Sequence, residues 1–141
     1  MPAVVYPYTI LTILAGRRSP LIPLGLGYQG KWRRVQAYVD SGAFYSVFKT
    51  VFALLLGLIW QQGEHVYVQV GHGGFIPIYL HTVDVQLQRY RFPARIGFSD
   101  HLGVRFNIIG RVPLCERFVI CFDDRQGIVR LEPYQDHEDT L

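Results

Sequence analysis

The residues best equipped for chemistry lie together in Val39-Asp40-Ser41-Gly42-Ala43, where an acid follows an apolar strand and precedes a hydroxyl, a glycine and a small residue. If two such acids face each other across a symmetry axis, like-charge repulsion keeps one protonated while the other stays a base, and the pair titrates as a unit. The carboxylate can then take a proton from water while the carboxylic acid donates to a carbonyl oxygen, which is general acid–base hydrolysis without a covalent intermediate. Ser41 can bridge the two loops by hydrogen bonds. Gly42, without a side chain, lets backbone approach the acids and exposes a carbonyl.

Other chemistries fit less well. The histidines at 65, 72, 81, 101 and 137 show no H-E-x-x-H or related spacing, and Cys115 and Cys121 lack a C-x-x-C pair, so no metal site is expected. Ser46, Ser99 and His101 stand in no G-x-S-x-G context. Gly71-His72-Gly73-Gly74 lacks the Lys-Ser/Thr of a phosphate loop and reads as a hairpin turn.

The elements that must position Asp40 read as mostly β. Alternating or β-branched segments separated by Gly and Pro predict strands at Tyr8–Leu14, Leu21–Leu26, Arg33–Val39, Val66–Val70, Phe75–His81, Val83–Arg89, Arg91–Gly97, Phe118–Phe122 and Ile128–Leu131. One segment, Phe48–Trp60, has helix-compatible spacing and ends at Gly63, so a single helix is predicted. With 141 residues, 50% of them apolar and 18% charged, the chain is predicted to form one domain over 1–133, followed by a polar, flexible tail over 134–141. A chain this long buries a core without disulfides or metal, and a reduced, cytoplasmic protein is the simpler reading.

Three motifs in order resemble the retropepsins, the aspartic proteases of retroviruses and retroelements, and their single-domain cellular relatives. Asp40-Ser41-Gly42-Ala43, with Ser46-Val47 and the helix after it, resembles the catalytic loop. Gly71-His72-Gly73-Gly74-Phe75-Ile76 is similar to the glycine-rich flap tip. Asn107-Ile108-Ile109-Gly110-Arg111 is similar to the motif whose strand threads beside the catalytic loop, and Phe118–Asp123 to the strand that follows it.

The resemblance implies a closed, mostly-β retropepsin-like barrel with one helix, active as a homodimeric endopeptidase because the chain holds no second D-[TS]-G. It implies a protein or peptide substrate lying as a strand between flap and floor. Gly42, Gly73 and Gly74 then contact its backbone; Val47, Ile76 and Ile109 form pocket walls; Ala43, His72 and Phe75 adjoin it. No cofactor is implied. Where retroviral members often carry a second acid that pairs with the motif arginine, this chain has Phe44, which leaves Arg111 to Glu116, to a second subunit's carboxylate or to solvent. The polar tail does not read as a dimer-forming end strand, so the N-terminal apolar segment is a candidate interface strand.

Two alternatives share these residues. One is an inactive protease-like domain that binds a protein or peptide without cutting it. The other, a nucleic-acid-binding barrel, is disfavoured because the net charge of +3 is spread over scattered arginines. The apolar run Val51–Trp60 falls short of the roughly 20 residues a membrane helix needs, and no membrane association is predicted.

Overall fold

The computed structural model describes residues 2–11, 16–71 and 73–134. Among them are twelve strands and two α-helices. The N-terminal strands are β1 (Val4–Pro7), β2 (Thr9–Leu11) and β3 (Arg17–Ser19), followed by the hairpin of β4 (Leu21–Tyr28) and β5 (Lys31–Val39). Gln29 and Gly30 join that hairpin with φ of 49° and 81°, the two left-handed positions of a tight primed turn. Next come β6 (Val47–Lys49), α1 (Thr50–Leu55), β7 (Glu64–Gln69), β8 (Phe75–Leu87), β9 (Tyr90–Ser99), β10 (Asn107–Ile109), α2 (Arg111–Arg117), β11 (Phe118–Asp123) and β12 (Ile128–Pro133).

A seven-stranded sheet has the order β4-β5-β10-β6-β9-β8-β7, and β4 also pairs with β8 through Gly25–Gly27. Alternation along β4 and β5 turns Ile22, Leu24 and Leu26, with Val35, Ala37 and Val39, into one core beside Phe92, Ile96 and Phe98. A smaller cluster of Val47, Ile78 and Leu80 lies under the far end of β8.

Several expectations need correction. The segments Phe75–His81 and Val83–Arg89 form one strand, β8, paired without a break against β9 from Tyr79 to Leu87. The buried parity shifts between Leu80 and Val83 because β8 serves both clusters, and that shift reads in sequence as a strand end. The helix expected over Phe48–Trp60 spans only Thr50–Leu55. Phe48 is drawn into β6, opposite Phe98, and Gly57 at φ 79° ends the helix, followed by a short 3-10 turn over Trp60–Gln62. A second helix, α2, was not expected; Pro113 suits its first turn, Val112 beside it is extended, and Leu114 is buried.

The N-terminal segment, a candidate interface strand, pairs here with β12 of the same chain, Val4 opposite Leu131. Tyr134 N–H donates to Arg117 O, whereas 135–141 and the 12–14 part of the first predicted strand lie outside the described residues. No described helix is long and apolar enough to cross a membrane.

Candidate functional site

Strand β5 ends at the buried Val39 and releases Asp40, half-buried, into a loop that runs to Ser46. The Asp40 N–H donates to Ile109 O at 3.0 Å, which ties the start of the loop to β10. The Gly42 N–H then donates to Asp40 Oδ1 at 2.9 Å, and the Ala43 N–H to Asp40 O at 3.2 Å. One carboxylate oxygen is thus oriented by its own turn. A Cβ at Gly42 would stand 3.2 Å from Asp40 Oδ1, so the glycine keeps this approach unstrained.

The far end of the loop is held by β10, which inserts between β5 and β6: Ile109 lies parallel to Val39 and Ile108 opposite Val47. Gly110 follows, and a Cβ there would fall 2.6 Å from both Ala43 O and Tyr45 O. Its N–H donates to Ser46 Oγ at 2.9 Å, while Ser46 Oγ donates to Val112 O at 2.6 Å. The N–H groups of Arg111 and Val112 donate to Ala43 O and Phe44 O at 2.9 and 2.8 Å. Asn107 braces the same junction, accepting from Lys49 N–H and donating to Gln36 O, each at 2.9 Å.

Facing the loop is the hairpin of β7 and β8, whose tip closes through Gly73 N–H to Val70 O at 2.9 Å and Val70 N–H to Gly74 O at 2.8 Å. Gly73 takes φ 90°, a backbone conformation that favours glycine. A cavity of about 1050 Å³ lies between hairpin and loop. Its floor includes Asp40, Gly42, Ala43, Val47 and Ile108; Tyr67, Gly71, Gly73 and Ile76 line it from the hairpin. His101, Leu102 and Val104 close one side. The His101 Nδ1 lies 2.7 Å from Asp100 Oδ1.

The structure places Asp40, Gly42, Ala43, Val47, Gly73 and Ile76 around one cavity. Ser41 is exposed beside the acid but does not line the cavity; Gly74 and Phe75 also lie outside the lining, with Phe75 64% exposed. Ile109, expected as a pocket wall, is fully buried in the main core, and alternation along β10 gives the cavity Ile108 instead. Asn107, Gly110 and the Arg111 backbone form the structural junction described above. The exposed Arg111 side chain has no ion pair among the described residues, with Glu116 or any other acid. His72 lies outside the described residues.

Sequence reasoning missed Tyr67, His101, Leu102 and Val104. Tyr67, an aromatic on the outward parity of an alternating strand, carried a visible signal; the 100–106 segment has no periodicity to read. No cluster of three or more His, Cys, Asp or Glu suited to a metal occurs among the described residues.

No protein-family model and no curated protein matches the chain by sequence. Among solved structures, the fold is similar to a retropepsin-like aspartic protease from Rickettsia conorii, with a TM-score of 0.61 and 12% identity over 92% of this chain and 90% of that one. It is also similar to the EIAV protease complexed with the inhibitor HBY-793, with a TM-score of 0.52 and 17% identity over 67% of this chain and 84% of that one. At such identities the likeness is one of fold, and the fold is retropepsin-like.

Proposed function

Starting from a retropepsin-like fold with an acid on the floor of its cleft, we propose that this chain is one subunit of a homodimeric aspartic endopeptidase. The observation that carries the reading is Asp40, its carboxylate oriented by the Gly42 N–H, lining a cavity of about 1050 Å³ beneath a glycine-tipped hairpin. In the dimer two Asp40 carboxyls share one proton because both cannot ionise side by side. The ionised one activates a water and the protonated one donates to the carbonyl oxygen of the scissile peptide. Ser41 hydrogen-bonds across the axis, and the sheet, with β4 paired to both β5 and β8, acts as a closed barrel that fixes the two loops.

An extended peptide fits between hairpin and floor, contacting the backbone of Gly42, Gly73 and Gly74. Val47, Ile76, Ile108 and Leu102 favour apolar side chains near the cut. The reaction needs no cofactor. The test is cleavage of a mixed peptide library from acid to neutral pH by the wild type and by Asp40→Asn, with molecular mass measured by sedimentation. Cleavage by a dimeric wild type, lost in Asp40→Asn, is expected. A folded dimer that cuts nothing, or an Asp40→Asn variant that cuts equally well, overturns the proposal; the first outcome leaves a peptide-binding domain.

A further inference from the structure

On the outer face of the sheet, Arg34 of β5 lies opposite Gly25 of β4, Gly25 opposite Gln86 of β8, and Gln86 opposite Arg91 of β9. One row thus crosses four strands with a glycine between two arginines. A cavity of about 420 Å³ opens over it, lined also by Tyr6 and Trp32, and its volume is within the range of small-molecule sites. A Cβ at Gly25 would meet Gln86 Cβ and Trp32 Cε3 at 3.4 Å, and Gly25 is not among the positive-φ residues. Backbone geometry does not require glycine there; its effect is to leave the depression open.

The walls are built. A Cβ at Gly27 would fall 2.6 Å from Trp32 Cε2, so the indole lies directly against bare strand. The Arg91 guanidinium sits 4.3 Å from the centre of the Trp32 ring and donates to Gln86 Oε1 at 2.9 Å. Gln86 Nε2 in turn donates to Gln88 O at 3.0 Å. Neutral groups thus position Arg91 and leave its charge uncompensated. Arg33 lines the cavity too, and none of Arg33, Arg34 and Arg91 has a carboxylate partner among the described residues.

Tyr6 is 4% exposed, and its buried hydroxyl has no hydrogen-bond partner among the described residues. Burial pushes its pKa up to about 12 against a weaker opposing effect of Arg34, so at neutral pH it is a proton donor. Three arginines without a carboxylate among the described residues, Arg33, Arg34 and Arg91, line one depression together with Tyr6, and such a lining calls for an acceptor.

We infer that this cavity is a second binding site, for a small oxyanion of the phosphate or carboxylate class. Among the described residues it shares no lining residue with the Asp40 cleft. Arg34 and Asp40 are six positions apart along the chain, about 20 Å of extended strand.

The test is Trp32 fluorescence, with Trp60 as constant background, during titration with inorganic phosphate and separately with succinate at ionic strength held constant with chloride. A saturable response to either anion is expected, and which anion gives it distinguishes the two sources. Arg34→Gln and Arg91→Gln should each weaken it by roughly tenfold or more, the effect of losing one charge-assisted hydrogen bond. Gly25→Leu should abolish it by filling the depression; if that variant does not fold, the two arginine variants decide. No saturable response to either anion, or one unchanged in the arginine variants, overturns the inference. So does a response to an acidic peptide with none to either small anion.

Discussion

Replacing Ser46 by alanine tests whether the acid-bearing loop is held from the β10 side. Ser46 is fully buried, and its hydroxyl links the Gly110 N–H, at 2.9 Å, to Val112 O, at 2.6 Å. Alanine removes one oxygen and leaves a donor and an acceptor unpaired, at roughly 1–3 kcal/mol each. Partial relaxation favours the lower part of that range, so the loss is about 2–4 kcal/mol, a large share of a typical stability of about 5–15 kcal/mol. With a urea m-value of roughly 2 kcal/mol/M the unfolding midpoint should drop by about 1–2 M. Ser41→Ala is the internal control: Ser41 is exposed and has no hydrogen bond among the described residues, so its stability should change by less than about 0.5 kcal/mol. In the proposed dimer Ser41→Ala should nevertheless lower peptide cleavage. A Ser46→Ala midpoint within about 0.3 M of wild type at unchanged m-value would refute the argument, and so would a Ser41→Ala variant destabilised as much as Ser46→Ala.

Gly110→Ala places a methyl 2.6 Å from two backbone carbonyl oxygens at a φ of −105° that alanine accepts, so its penalty is steric. A cost of about 1–3 kcal/mol and loss of peptide cleavage are expected; a wild-type urea midpoint would contradict the close approach. Stability should also fall as pH rises from about 10 to about 12, because burial raises the Tyr6 phenol from 10.0 to about 12 and the unfolded chain ionises first. Tyr8, also raised to about 12, acts in the same window, so Tyr6→Phe should lessen the slope of urea midpoint against pH without removing it, and an unchanged slope would exclude the Tyr6 contribution.

Much of the fold was legible wherever one strand serves one face. Val35, Ala37 and Val39 alternate into the core as their spacing suggests, and Asp40 emerges at the end of that strand. Legibility failed where tertiary register sets the outcome. Residue types identify the Asn107–Arg111 motif but not which isoleucine faces the cleft; that depends on β10 lying between β5 and β6. Three consecutive leucines suggested a long helix, but Gly57 turns the chain and buries Leu58 in the core instead. Gly63, read as the end of that helix, has an ordinary φ of −72°. It is needed for close approach, since a Cβ there would lie 2.6 Å from Leu80 O and His81 Nε2.

The departure at position 44 shows what holds the loop. Where the retroviral pattern often pairs an acid with the motif arginine, this chain has Phe44, and the Arg111 side chain makes no ion pair among the described residues. The junction persists because it is made by backbone: Arg111 N–H to Ala43 O and Val112 N–H to Phe44 O, bonds that no side-chain substitution at 44 removes. An exposed ion pair would add at most about 1 kcal/mol to them. Phe44 is 61% exposed, stands edge-on to Tyr45 with ring centres 4.9 Å apart, and lines the cavity. Its side chain therefore changes what the cleft presents to an occupant, adding apolar surface in place of charge, while the bonds that position Asp40 are unaffected. Gly110 has no such latitude, because any side chain there would meet the two carbonyl oxygens that the loop turns toward it.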